Sequence, residues 1–299
     1  MTILTNLQAE HLWREIKKQG NLSFFVSKLR FTFFGISDII VTMNELEKYY
    51  NKFNEDKRLL SRHGQVEFFV AMHYINEMIA GRTGLDIIDI GAGTGRYSVE
   101  LSNAGHRAVA VELVNKNVSQ IKMKSDKVVA KQGDALNLKK FKAESFDIAL
   151  LFGPTYHLFS HEDKLKAILE AKRVLRKGGK LLIMYLTNEY AMITYAFKEG
   201  NLQKCLQAGK IDENFNTVTS VEDLYSYVRL EEINKLQEDA EMKRVKIVGV
   251  DGATDYIRPV INKMTEEDFE YYKKYQLSIS ARPELLGASS HIMDILEKD

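Results

Sequence analysis

Residues 85–112, LDIIDIGAGTGRYSVELSNAGHRAVAVE, constrain this chain more than any other stretch. Leu85, Ile87, Ile88 and Ile90 form a short apolar run that predicts a buried parallel strand. Gly91, Gly93 and Gly95 follow at once, and a helical pattern starts near Thr94. A second β-rich run, residues 108–111, ends in the acid Glu112. Strand, glycine turn, helix, strand and acid is the order of a nucleoside-binding βαβ unit. Glycines let the backbone come close to a ligand without a Cβ in the way. A carboxylate at the end of the second strand accepts hydrogen bonds from ribose hydroxyls.

The glycine spacing separates two ligand classes. A dinucleotide site reads G-x-G-x-x-G and sets pyrophosphate on the helix N-terminus. Here the register is G-x-G-x-G, and Arg96 stands where the third dinucleotide glycine would fall. Asp89 lies two residues before the first glycine, where its charge repels pyrophosphate and suits an ammonium group. The ligand that fits is S-adenosylmethionine, with ammonium, carboxylate, sulfonium, ribose and adenine. A nicotinamide-dependent oxidoreductase is the competing enzyme reading, and both the glycine register and Asp89 disfavour it.

On these residues the chain resembles the class I S-adenosylmethionine-dependent methyltransferases. Asp89, Gly91, Gly93 and Gly95 match the motif that wraps the methionine end, with Ala92 inside it. Glu112, followed by Leu113, matches the ribose-binding acid. Gly133, Asp134 and Ala135 match the segment after the third strand whose acid meets the adenine amino group. Residues 146–151 match the fourth strand, with Phe152 just beyond it as a further cofactor contact. Residues 174–183 match a helix end, a glycine turn and the fifth strand. The resemblance implies an α/β fold: a doubly wound, mostly parallel seven-stranded sheet, Rossmann-like, with N-terminal helices and a helical cap insertion. It is specific for cofactor and fold and covers residues 85–186 well and 230–299 loosely.

Composition bounds the remaining classes. The chain has 299 residues, 45% of them hydrophobic, enough for one large core with additions. Its 42 basic and 41 acidic residues leave a net charge of +1, so no global field draws it to nucleic acid or to an anionic membrane. The single cysteine, Cys205, rules out an internal disulfide and fits a reducing cytoplasm. No Cys/His cluster has metal-ligand spacing. Residues 22–41 come nearest to a membrane span, but Lys28, Arg30 and Asp38 interrupt them.

Five regions follow. Residues 1–42 match nothing in the family; they are either a dimerisation or substrate arm or an addition upstream of a start at Met43. Residues 43–84 read as helices, which the resemblance implies close over the cofactor, with Tyr49, Tyr50, Arg58, Arg62 and His63 as candidate contacts. Arg62 is the arginine assigned to the methionine carboxylate. Residues 85–187 form the cofactor-binding core, with strands near 85–90, 107–112, 127–132, 146–152 and 179–186. The helix at 161–176 is signalled by Ser160 and Asp163 at its start and by Gly178 and Gly179 at its stop. Residues 188–228 read as an inserted cap over the site mouth. Residues 229–299 supply a helix at 230–242, strand six at 245–250, a helix opened by Thr265 and Asp268, and a last strand at 290–296, antiparallel in the family.

Methyl transfer is an in-line displacement, so the protein must align a nucleophile, exclude water and in some cases remove a proton. The acceptor belongs beyond the C-terminal ends of strands four and five. Tyr156 and His157 follow the Gly153-Pro154 turn there, His157 as the candidate general base and Tyr156 beside the sulfonium. The turn lacks the Asn/Asp-Pro-Pro-aromatic pattern of base amino-methyltransferases, the Pro-Cys of cytosine enzymes and the paired glutamates of arginine methyltransferases. A small-molecule acceptor, methylated at O, N or C, survives this elimination best. The alternative is a non-catalytic S-adenosylmethionine-binding regulatory or partner protein, and a homodimer stays open.

Overall fold

The computed structural model describes residues 60–299. The extension at 1–42, and Tyr49, Tyr50 and Arg58 of the N-terminal helical segment, lie outside the described residues. Helix α1 (Arg62–Ile79) leads into strand β1 (Asp86–Ile90), α2 (Arg96–Asn103), β2 (Arg107–Glu112), α3 (Asn115–Lys124) and β3 (Val129–Gln132). Next come β4 (Phe146–Leu151), a 3₁₀ turn (Pro154–Tyr156), α4 (His161–Val174) and β5 (Leu175–Leu186). A helical turn, Asn188–Tyr190, continues as a π-helix, Ala191–Lys198, before α5 (Leu202–Gln207). The chain then runs through α6 (Leu230–Asp239), β6 (Lys243–Gly249), α7 (Arg258–Ile261), α8 (Glu266–Ile279) and β7 (His291–Glu297).

The strands form one seven-stranded sheet in the order β3-β2-β1-β4-β5-β7-β6. β7 runs antiparallel to both of its neighbours, and the other pairings are parallel. Alternation along the strands divides the core in two. Ile88, Ile90, Ala149, Leu151, Leu181 and Ile183 point to the face covered by α4 and α6. Ile87, Ile148, Leu150, Leu182 and Met184 point to the face covered by α1 and α2. Helices on both faces explain why these strands read as unbroken apolar runs. Truncating any of the buried isoleucines, leucines or Met184 among these to alanine costs about 2–5 kcal/mol.

Two helix starts follow the capping signals: Ser160 Oγ accepts from Asp163 N at 3.0 Å, and Thr265 Oγ1 from Asp268 N at 3.1 Å. The stop of α4 differs from expectation. The helix ends at Val174, and Gly178 and Gly179 lie inside β5. A Cβ on Gly179 would stand 2.8 Å from the Arg176 carbonyl and 3.1 Å from that of Asp147. The glycine serves close strand approach, where the β4–β5 register shifts between Phe146 and Ile148.

The chain order of the strands reverses between β1 and β4, and open α/β sheets bind ligands at such a switch point, beyond the strand C-termini. No helix among the described residues is long and apolar enough to cross a membrane.

Candidate active site

The glycine turn after β1 folds back on β2. Gly91 N and Ala92 N both donate to the Val111 carbonyl, at 2.8 and 3.1 Å, and Gly95 N donates to Ala92 O at 2.8 Å. All three glycines have positive φ, but their surroundings differ. A Cβ on Gly91 would sit 2.4 Å from Pro154 Cδ, and one on Gly95 2.7 Å from Ile121 Cγ1. A Cβ on Gly93 would meet no atom of the described residues within 4 Å. Gly91 and Gly95 are therefore packing glycines, and Gly93 leaves a backbone cradle open to a ligand.

A cavity of about 250 Å³ opens at this turn, walled on one side by Asp89, Gly91, Ala92, Gly93 and Arg96. Asp89 is only 2% exposed and accepts from Ser98 Oγ. Burial, reinforced by the nearby Glu112, pushes the Asp89 carboxyl up to about 6. Glu112 does not line the cavity; it holds the turn. Its Oε2 accepts from Gly93 N at 2.8 Å and its Oε1 from Val114 N at 2.9 Å. Burial raises the Glu112 carboxyl, and these backbone N–H groups oppose that rise.

The far wall is aromatic. Phe152, Tyr156, Tyr190, Tyr225 and Tyr227 line it, together with Met184 and His291. Tyr225 and Tyr227 are brought there by the end of the 188–228 segment. Ser226 N donates to Tyr156 O at 2.6 Å, and Val228 N to Leu186 O at 2.9 Å. Tyr97 also lines the cavity, its ring 5.1 Å from that of Phe152 and 5.2 Å from that of Phe68.

Of the expected site residues, His63, Asp89, Gly91, Ala92, Gly93, Phe152 and Tyr156 thus share one cavity. Gly95 caps α2 behind it. Leu113, Gly133, Asp134 and Ala135 lie where β2 and β3 end, outside the cavity wall. There Gly133 N donates to Glu112 O at 3.1 Å, and Asp134 Oδ1 accepts from Leu136 N at 2.9 Å.

Two residues are placed elsewhere. Arg62 clamps α1 to the start of α8, donating to Met264 O at 2.8 Å and Ile261 O at 3.2 Å, with its guanidinium over the Phe269 ring. An arginine spent on helix-end carbonyls is not set to receive a cofactor carboxylate. His157 is not among the residues walling the cavity. Its Nδ1–H donates to Leu224 O at 2.8 Å, and burial lowers its pKa to about 4. So placed, it anchors the 188–228 segment and is a poor proton acceptor.

Several cavity residues escaped the sequence reading: Tyr190, Tyr225, Tyr227, Asp255, Arg258 and His291. Asp255 Oδ1 pairs with Arg258 at 2.5 Å and its Oδ2 accepts from Ser290 Oγ at 3.2 Å. Asp251, just after β6, holds the ring of His291 at the start of β7, with Oδ2 to Nδ1 at 2.6 Å. Among the described residues no group of three or more His, Cys, Asp or Glu is placed to hold a metal ion.

The sheet order and this glycine site resemble those of the class I S-adenosylmethionine-dependent methyltransferases. Residues 88–183 match the model of the family described as a methyltransferase domain. A curated relative is the ubiquinone/menaquinone biosynthesis C-methyltransferase UbiE of Marinomonas sp. (strain MWYL1), 29% identical over 171 residues. That match takes in 54% of this chain, which spans 63% of the relative's length. Among solved structures, an S-adenosylmethionine-dependent methyltransferase of Thermotoga maritima aligns with a TM-score of 0.54 at 21% identity, over 86% of this chain and 100% of that one. Geranyl diphosphate C-methyltransferase of Streptomyces coelicolor A3(2) aligns with a TM-score of 0.50 at 14% identity, over 79% of each chain. At such identities the structures speak for the fold.

Proposed function

We propose that this chain transfers the methyl group of S-adenosylmethionine to a small organic acceptor held in the aromatic half of the cavity. The observation that carries the reading is that a single cavity joins the Asp89 and Gly93 wall to the wall of Tyr156, Tyr190, Tyr225 and Tyr227. The residues fit the cofactor. Asp89 is a buried acid on the cavity wall, suited to an ammonium, and Gly93 gives a backbone cradle that a Cβ would fill. Glu112 is assigned to the ribose and Asp134 to the adenine, as the family resemblance implies. When bound, S-adenosylmethionine supplies an electrophilic methyl on a sulfonium.

The protein's own residues then orient and desolvate. Aromatic rings from the 3₁₀ turn and from the 188–228 segment exclude water and hold an apolar acceptor body. The 188–228 segment acts as the roof of the site. Tyr156 stays in the reading as a wall residue, whereas His157 has no step in it. The relative's role in quinone biosynthesis supports a small-molecule acceptor over a macromolecular one. Release of S-adenosylhomocysteine on incubation with fractionated metabolite pools tests the reading. Tight binding of S-adenosylmethionine with no release from any fraction would favour a regulatory protein.

A further inference from the structure

We infer that His291, oriented by Asp251, is the general base that takes the acceptor's proton during methyl transfer; this rests on the methyltransferase reading above. His291 stands at the first position of β7, paired with Leu186 at the last position of β5. Because β7 is antiparallel, its N-terminal end lies at the edge of the sheet where the parallel strands end. His291 therefore reaches the cavity shared with Asp89 and Gly93, and its ring stands 5.7 Å from that of Tyr156.

The orientation of the ring is over-determined. Asp251 is 4% exposed. Its Oδ1 accepts from Ser289 Oγ at 2.8 Å and from the His291 backbone N–H at 2.9 Å, and its Oδ2 meets His291 Nδ1 at 2.6 Å. A carboxylate oxygen only accepts, so the ring facing Asp251 Oδ2 carries its proton on Nδ1. The basic lone pair of the neutral ring is then on Nε2. A buried carboxylate also stabilises the imidazolium that forms, as the acid of a histidine-containing triad does. Neither feature is shared by His157, which faces a neutral carbonyl.

The acceptor this pair suits carries an exchangeable proton on its nucleophilic atom, and the ring-lined wall favours a phenolic or catecholic hydroxyl. The acceptor oxygen forms a bond to the methyl carbon while the carbon–sulfur bond breaks, and that electron pair stays on sulfur in S-adenosylhomocysteine. The hydroxyl proton passes to His291 Nε2 and leaves to solvent after release. Asp251 touches neither reactant and is a positioning residue.

Two measurements on the full chain test this. Long-range ¹H–¹⁵N spectra of histidine-labelled protein should contain, besides the Nδ1–H ring of His157, a second Nδ1–H ring that vanishes in His291→Gln and loses its tautomer preference in Asp251→Asn. A His291 ring in the Nε2–H form overturns the proposal without any variant having to fold. The second measurement is S-adenosylhomocysteine release with a panel of phenols and catechols and with the metabolite pools. His291→Gln should lower kcat by roughly 10²–10⁴-fold while S-adenosylmethionine affinity and melting temperature hold. Equal kcat in wild type and His291→Gln removes the base alone. No release by the wild type removes the methyl-transfer reading and the base with it.

Discussion

Alanine at Gly91 and alanine at Gly93 should fail in different ways, although the two glycines are two residues apart in one turn. Both have positive φ, +76° and +54°, which costs an L-residue about 1–2 kcal/mol. At Gly91 the new methyl would also stand 2.4 and 2.6 Å from Pro154 Cδ and Cγ. Pro154 opens the 3₁₀ turn after β4, so relief requires moving the β4 exit. Such overpacking adds about 1–3 kcal/mol, for a total of about 2–5 kcal/mol. At roughly 2–4 °C per kcal/mol for a domain of this size, Gly91→Ala should lower the melting temperature by roughly 4–20 °C. At Gly93 no atom of the described residues lies within 4 Å of the added methyl, so among them only the backbone cost applies. The methyl would instead stand in the space given to the cofactor and weaken S-adenosylhomocysteine at least about tenfold, or ~1.4 kcal/mol. Differential scanning fluorimetry and isothermal titration calorimetry on the two variants read both effects. A Gly93→Ala protein that binds within about twofold of wild type, or melts below Gly91→Ala, would refute the division of labour.

Other outcomes follow from the charges. Asp89 must be ionised to receive an ammonium, and its carboxyl is raised to about 6, so S-adenosylmethionine affinity should fall about tenfold between pH 7 and pH 5, measured by calorimetry. The same raised value means that Asp89 favours folding below its unfolded value of 3.8 and that this contribution is lost as pH rises through 6. His157, lowered to about 4, works in the opposite sense: its contribution is present above 6.5 and lost as pH falls toward 4, so His157→Phe should flatten the acid limb of a pH-melting curve. Arg62→Ala removes charged hydrogen bonds to helix-end carbonyls and should cost about 1–3 kcal/mol in urea unfolding while leaving cofactor affinity unchanged; weakened affinity would return Arg62 to the site.

Local signals were readable where chemistry and backbone coincide. The Gly91-x-Gly93-x-Gly95 register specifies positive φ, and Asp89 and Glu112 follow from strand position. The apolar runs of β1, β4 and β5 announce a sheet covered on both faces. What the sequence hid was pairing at a distance. Nothing near Arg62 says that its partners are Ile261 and Met264. Tyr156 and His157 are neighbours at the end of a 3₁₀ turn, yet only Tyr156 lines the cavity. His291 and Asp251 lie far apart in the chain and meet because an antiparallel strand brings its first residue to the edge where β6 ends. The positions 290–296 and 245–250 contained that meeting, since an antiparallel last strand must start where strand six stops. Gly178 and Gly179 misled because a glycine pair signals a helix stop and a close strand crossing alike.

The place of β7 between β5 and β6 sets an order of events in folding. Among the described strands β6 pairs with β7 alone, so when the ribosome has made β6 that partner has yet to appear. The glycine turn, β1, β2 and β4 can assemble while the chain is still growing, since their contacts are close in sequence. The edge of β5 stays open until the last strand enters it and draws β6 in from the other side. The cofactor half of the cavity is thus an early product of synthesis. The wall carrying His291 is a late one, and until it closes an unpaired strand edge is exposed to other chains.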